Sequence, residues 1–167
     1  MQHKKLKSSR LFLAILLFVA ACQSSNTPKN DHIWYPVTKV VDGDTFWVED
    51  GSPKGLKVRL IGVDTPETVH PRKPVEYFGR EASDFVKQLL TNNKVRLEYD
   101  VEKTDRYGRL LAYVYLPDGT FLNAHLIRHG YGQVMTVPPN VKYADQFVKL
   151  QRKARRKNAG LWGGLEK

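Results

Sequence analysis

The sequence predicts an α+β fold dominated by a β-barrel, and three observations carry that expectation. Short runs of β-branched and aromatic residues, punctuated by Gly, Asp and Pro, fill the first half of the folded region. Apolar residues recur with helical period three times, once between strand-like runs and twice after them. Cys22 is the only cysteine in 167 residues, so no intramolecular disulfide is available and a packed core must hold the domain.

The N-terminus is expected to lie outside that domain. Lys4, Lys5, Lys7 and Arg10 precede an unbroken apolar run from Leu11 to Ala21, too short for a helix to cross a hydrocarbon layer of ~30 Å. Val19, Ala20 and Ala21 stand directly before Cys22, an arrangement that resembles a bacterial lipobox, in which the cysteine is acylated and becomes the mature N-terminus. Residues 1–21 are therefore expected to be a lipoprotein signal peptide. Residues 22–32 would be the lipidated cysteine and a polar, flexible tether, and 33–165 the folded domain. Such a chain is expected to be exported to the cell envelope and anchored to the membrane through Cys22. An ordinary secretory signal that happens to contain a cysteine is the competing reading.

The mature part has about 145 residues, enough for one hydrophobic core, and is expected to be monomeric. The formal charge of +10 becomes +6 once the four basic residues before Cys22 are removed. That excess favours polyanionic partners, including nucleic acid, anionic lipid and wall polymers, without choosing among them.

Strands are expected over 37–41, 45–49 and 57–63, with Asp42-Gly43 as a tight turn between the first two. A helix follows, with Phe78, Ala82, Phe85, Val86 and Leu89 on its apolar face and Pro74 just before it. Two more strands are expected over 94–99 and 110–115. Leu122, Leu126 and Ile127 mark a second helix stopped by Gly130. Ala144, Phe147, Leu150, Gln151 and Ala154 mark a third, whose other face carries six lysines and arginines between Lys149 and Lys157. That face is read as solvated, with at most a share in steering polyanions. Five strands and three helices in this order give a five-stranded barrel of OB type with helices packed on it.

Acids and arginines concentrate in three stretches where strands end: Val41-Asp42-Gly43-Asp44-Thr45, Arg59 through Thr68, and Thr104-Asp105-Arg106-Tyr107-Gly108-Arg109. Phosphodiester cleavage needs an oriented water, an offset for phosphate charge, and donors for the pentacoordinate dianion. A hard divalent cation on carboxylate oxygens meets the first two needs. Arginines grip phosphate oxygens bidentately, which lysine does less well. Asp44 and Asp64 are candidate metal ligands, Glu67 a candidate for managing water, and Arg59 and Arg109 candidates for phosphate. Strand alternation would put Arg59, Ile61 and Val63 on one face, and an inward charge there needs a partner or a purpose. Taken singly, each residue also has a bland role as a turn or cap.

These same stretches resemble the staphylococcal-nuclease-like (thermonuclease) family. The likeness rests on Asp42-Gly43-Asp44-Thr45, on Arg59 with Val63-Asp64-Thr65-Pro66-Glu67-Thr68, and on Thr104 through Tyr113. It extends through Glu81-Ala82-Ser83 to Leu161-Trp162. The resemblance implies an OB-fold barrel with three helices and a calcium-dependent endonuclease acting on DNA and RNA. Such an enzyme would cleave the P–O5′ bond and leave 3′-phosphates. It implies Asp44, Asp64 and the Thr65 carbonyl as Ca2+ ligands and Arg59, Glu67 and Arg109 as the catalytic trio, with Glu67 acting as general base or as a group that orients water or metal. Arg106 and Tyr107 would meet the substrate's terminal phosphate, and Arg72 and Lys73 would hold incoming nucleic acid. Tyr113 fits a base pocket or the core equally well. Met135 through Asn140 lacks the tyrosines expected to stack on the base. The alternative function is a catalytically weak OB module that binds single strands, which would have no use for the five charged residues together.

Overall fold

The computed structural model describes residues 33–68 and 74–164. Cys22 and its tether, and Arg72 and Lys73, lie outside the described residues.

Five strands close into a barrel. They are β1 (Trp34–Val40), β2 (Thr45–Val48), β3 (Leu56–Leu60), β5 (Lys94–Glu98) and β6 (Leu110–Tyr115), paired in the order β1-β2-β3-β6-β5. All pairings are antiparallel except β3 with β6. Strand β1 serves two neighbours: Trp34 to Pro36 pair with β5, and the stretch from Val37 onward pairs with β2. A register shift between Val37 and Lys39 bends the strand where it changes partner, as a bulge does. Phe46, Val48, Val58, Val95, Ala112 and Val114 are fully buried, so alternate residues of four strands fill the barrel interior. The α+β barrel with helices, of OB type, is as expected.

The strand expected over 57–63 is two strands. β3 stops at Leu60, and Gly62–Asp64 forms a separate strand, β4, pairing outside the barrel with β7 (Gln133–Met135). The break has a physical cause. Gly62 sits at φ +75°, and a Cβ there would lie 2.6 Å from the Phe147 ring. The Ile61 amide bonds to the Ala112 carbonyl, while the Ile61 carbonyl accepts from Asn123 Nδ2 at 2.9 Å. Consequently Arg59, Leu60 and Ile61 are all buried in succession, and the expected alternation of Arg59, Ile61 and Val63 against Leu60 fails.

Helix α1 (Gly79–Leu90) buries Ala82, Ser83, Val86 and Leu90, with Phe85 and Leu89 half-buried at the edge. Phe78, expected on the apolar face, instead precedes the helix with φ 64°. Helix α2 (Leu122–His129) ends at Gly130, whose φ of 73° gives the left-handed cap expected of a glycine there. Helix α3 (Ala144–Arg156) buries Phe147 and Ala154, and a 3-10 turn over Gly160–Gly164 brings in Trp162. Asn123 on α2 is fully buried. Its Oδ1 accepts from the Val114 amide at 2.9 Å and its Nδ2 donates to Ile61 and, at 3.3 Å, Ala112. One amide thus ties helix, barrel and chain break together.

Candidate active site

The β1–β2 turn, the β3–β4 break and the loop before β6 meet at one end of the barrel. In the turn, Asp42 Oδ1 accepts from the Asp44 amide at 3.1 Å, and the Val41 and Asp42 amides bond to the Thr45 carbonyl. This Asx-type turn aims Asp44 inward, where it is only 6% exposed. Its Oδ1 accepts from Thr45 Oγ1 at 2.9 Å, and its Oδ2 from the Thr65 amide at 3.0 Å and Thr65 Oγ1 at 3.2 Å.

Arg59, from β3 and 8% exposed, is the centre of the arrangement. Its Nη1 lies 2.9 Å from Asp44 Oδ2 and donates to the Val63 carbonyl at 2.7 Å, while Nη2 donates to Asp64 Oδ1 at 3.2 Å. The break after Leu60 is what folds residues 63 and 64 back onto the Arg59 side chain. Arg59 Nε has no hydrogen bond among the described residues, leaving a donor for a ligand. Burial pushes the Asp44 carboxyl up to about 6, against the pull of the Arg59 guanidinium and with a further push from Asp42.

Arg109 enters from the third stretch. Asp105 Oδ2 accepts from Arg109 Nε at 2.7 Å, and Asp105 Oδ1 accepts from the Tyr107 and Arg109 amides. Burial raises the Asp105 carboxyl, but these bonds from Arg109 and Tyr107 outweigh it and hold it below the usual carboxylate value. Gripped at Nε, Arg109 keeps both Nη groups free of hydrogen bonds among the described residues.

A cleft of about 300 Å³ collects Asp44, Arg59, Asp64, Thr65, Glu67 and Arg109, together with Asp42 and Glu76. The structure thus brings all five charged residues expected at the site, and Thr65, into one place. Arg106 and Tyr107 line a neighbouring pocket of about 700 Å³ that shares Arg59 and Arg109 with the cleft and is walled by Leu60, Leu111, Met135 and Val137. The Arg106 Nη2 donates to the Tyr107 hydroxyl at 2.7 Å, and the guanidinium carbons of Arg106 and Arg109 lie 4.8 and 5.4 Å from the Tyr107 ring centroid. Tyr113 belongs to the core, with its hydroxyl donating to Asp100 at 3.0 Å. It does not line that pocket.

Four further residues support the site without having been expected there from sequence. Asp105 carries one signal, since an acid four residues before an arginine marks a possible pair. Glu76 Oε2 accepts from the Glu67 amide at 3.1 Å and the Glu76 amide donates to the Glu67 carbonyl at 2.9 Å, tying the Glu67 backbone to Glu76. Gln133 Nε2 donates to Asp64 Oδ2 at 3.2 Å across 69 residues of sequence. Asn123 braces the break from behind. No local pattern announces the last three.

The cleft suits a hard cation. Asp44 and Asp64 offer oxygen donors only, and a buried carboxylate with its pKa raised is one whose charge the protein offsets incompletely. Among the described residues no three His, Cys, Asp or Glu side chains converge as a metal cage. Two carboxylates and a carbonyl would therefore need water and substrate oxygens to complete ~6–8 ligands.

Sequence comparison agrees with this geometry. Residues 57–164 match the family model described as "Staphylococcal nuclease homologue". The chain is 42% identical over 170 residues to a thermonuclease of Staphylococcus intermedius, covering 95% of this chain and 98% of that protein. It is 48% identical over 129 residues to a thermonuclease of Staphylococcus hyicus, covering 77% and 75%. To an endonuclease of Bacillus subtilis it is 39% identical over 146 residues, covering 84% and 68%. With a buried arginine tying two aspartates at the barrel end, and a family match over most of its length, the chain belongs to the staphylococcal nuclease homologue family.

Proposed function

We propose that this chain is a calcium-dependent endonuclease that hydrolyses DNA and RNA at the P–O5′ bond. The observation that carries the proposal is the shared cleft: Arg59 bonded to both Asp44 and Asp64, with Glu67 and Arg109 on the same walls. A domain that only bound single strands would gain nothing from burying an arginine between two carboxylates beside a third.

Asp44, Asp64 and the Thr65 carbonyl would hold the ion, which when bound supplies charge neutralisation at the phosphate and a site for water. Arg59 Nε and the Arg109 Nη groups donate to the non-bridging oxygens, and their hold strengthens as negative charge builds on them. Glu67 accepts a proton from the attacking water or orients it. Water oxygen bonds to phosphorus, the P–O5′ bond breaks, the departing O5′ takes a proton from solvent, to which Glu67 returns the one it accepted, and the phosphate stays on the 3′ oxygen. Arg106 and Tyr107 border the adjoining pocket and fit contact with a terminal phosphate. Arg72 and Lys73 are proposed to hold the incoming chain.

We further propose that the enzyme is exported and lipid-anchored at Cys22 and acts as a monomer. The support is the basic, apolar and Val-Ala-Ala-Cys sequence before the tether. Globomycin treatment or palmitate labelling tests the anchor, and normal maturation without lipid would refute it.

Digestion of plasmid and RNA with Ca2+, Mg2+, Mn2+ or EDTA tests the catalytic proposal, with the product termini mapped. Calcium-supported cleavage to 3′-phosphates is expected. Activity in EDTA would refute the metal, and 5′-phosphate products would refute the bond assignment.

A further inference from the structure

Two histidines of α2 stand apart from the cleft. His125 and His129 are four residues apart, so their side chains leave the same helical face. Their ring centroids are 4.4 Å apart with planes inclined at 43°. His125 is half-buried, its ring stacked on Phe85 of α1 at 5.7 Å and 2°, and Phe85 stacks in turn on Tyr131 at 3.9 Å. His129 is exposed. Neither imidazole makes a hydrogen bond among the described residues, and no His125 nitrogen is sealed from solvent.

We propose that His125 and His129 form a bidentate site for a transition-metal dication, Cu2+ or Ni2+ foremost, distinct from the carboxylate cleft. A metal–nitrogen bond of ~2.1 Å puts an ion ~3.2 Å from an imidazole centroid. Two imidazoles ~90° apart at the ion then have centroids ~4.5 Å apart, whereas a tetrahedral angle separates them by ~5.2 Å. The observed 4.4 Å brings the two rings within reach of one ion at the spacing that square-planar or octahedral ions require. Stacking on Phe85 already fixes His125, so binding orders mainly the His129 side chain. Imidazole nitrogen is a poor ligand for Ca2+ and a good one for Cu2+ and Ni2+, so the two sites divide the ions by hardness. Water completes the shell, since no third ligand of the usual kinds converges among the described residues.

The site also has a structural consequence. An ion bridging residues 125 and 129 staples the last turn of α2, the helix whose Asn123 holds the chain break at Ile61. Binding only the folded state raises its stability by mass action.

The test is titration of the mature chain, residues 22–167, with Ni2+ and with Cu2+ in excess Ca2+, comparing the wild type with His129→Ala, His125→Ala and His70→Ala. His129 is exposed, so its removal leaves the packing intact. The expected result is one Ni2+ equivalent per chain that weakens at least tenfold in either α2 variant and is unchanged in His70→Ala. The Cu2+ electron paramagnetic resonance spectrum of the wild type should show two imidazole nitrogens, falling to one in His129→Ala. Nickel should raise the melting temperature of the wild type and not of His129→Ala. Equal binding by wild type and His129→Ala, or an unchanged copper spectrum, would overturn the proposal.

Discussion

Removal of the Arg59 guanidinium is expected to destabilise the protein in a pH-dependent way. Its side chain is 10% exposed and lies 2.9 Å from Asp44, whose side chain is 9% exposed, and its other amino group reaches Asp64. Arg59→Met therefore leaves a buried carboxylate without its counter-charge and a second acid beside it, a change of the kind that costs ~3–5 kcal/mol. Asp44 already titrates at about 6 in the fold, against an ordinary 3.8. A carboxyl raised on folding favours the folded state while protonated, and that contribution is lost as pH rises from near 4 through about 6. In Arg59→Met the Asp44 pKa moves higher still, so the acid takes a proton and escapes most of the penalty at about pH 5. Urea unfolding in EDTA is thus expected to give a loss of ~3–5 kcal/mol near pH 8 and less than about half of that near pH 5. The double variant Arg59→Met/Asp44→Asn should regain much of the loss near pH 8, because the acid left without its arginine is then only Asp64, whose side chain is 36% exposed and so reached by water. An equal loss at both pH values, or simple additivity in the double variant, would refute the reasoning.

The other expectations follow the same geometry. Asn123→Ala strands the Val114 amide and the Ile61 carbonyl, while the Ala112 carbonyl keeps the Ile61 amide, and should cost about 3 kcal/mol by denaturant unfolding, at ~1–3 kcal/mol per buried group left unmade. Gly62→Ala meets both a positive φ and the Phe147 ring, and should lose ~2–4 kcal/mol, partly restored by Phe147→Leu in a melting experiment. Asp105→Ala releases Arg109 from its grip and should lower kcat by ~10–100-fold with the fold intact, since misplacement by ~1 Å is enough. Apparent divalent-ion affinity should fall as pH drops through about 6, because the ion needs the ionised Asp44. Calcium titration by calorimetry at several pH values measures it, and a flat profile would count against Asp44 as a ligand.

Local chemistry makes the five charged residues legible in the sequence. Asp42-Gly43-Asp44 is a turn whose side-chain bonds form within three residues, and Asp64-Thr65-Pro66-Glu67 leaves a strand end, so sequence spacing there equals spatial proximity. The barrel strands and Gly130 are equally readable, because period-2 patterning and a left-handed cap are local signals. The break at Ile61 is not. It is made by Phe147 and by Asn123, which lies 62 residues away, and β4 and β7 are three residues each, too short to show alternation. The same holds for Gln133 on Asp64. Tyr113 is ambiguous in the sequence because an aromatic in a strand carries no mark of which face it takes; its bond to Asp100 and its burial decide for the core.

Catalysis is proposed to need Arg59, Glu67 and Arg109 acting together beside the two aspartates. The most direct measurement is kcat on saturating single-stranded DNA with Ca2+ for Glu67→Ala, Arg59→Ala and Arg109→Ala, each judged by circular dichroism to be folded. Each variant is expected to lose at least ~10²-fold, the scale of removing a general base or a charge-stabilising donor. Folded variants that each retain activity within about tenfold of wild type would contradict that joint role.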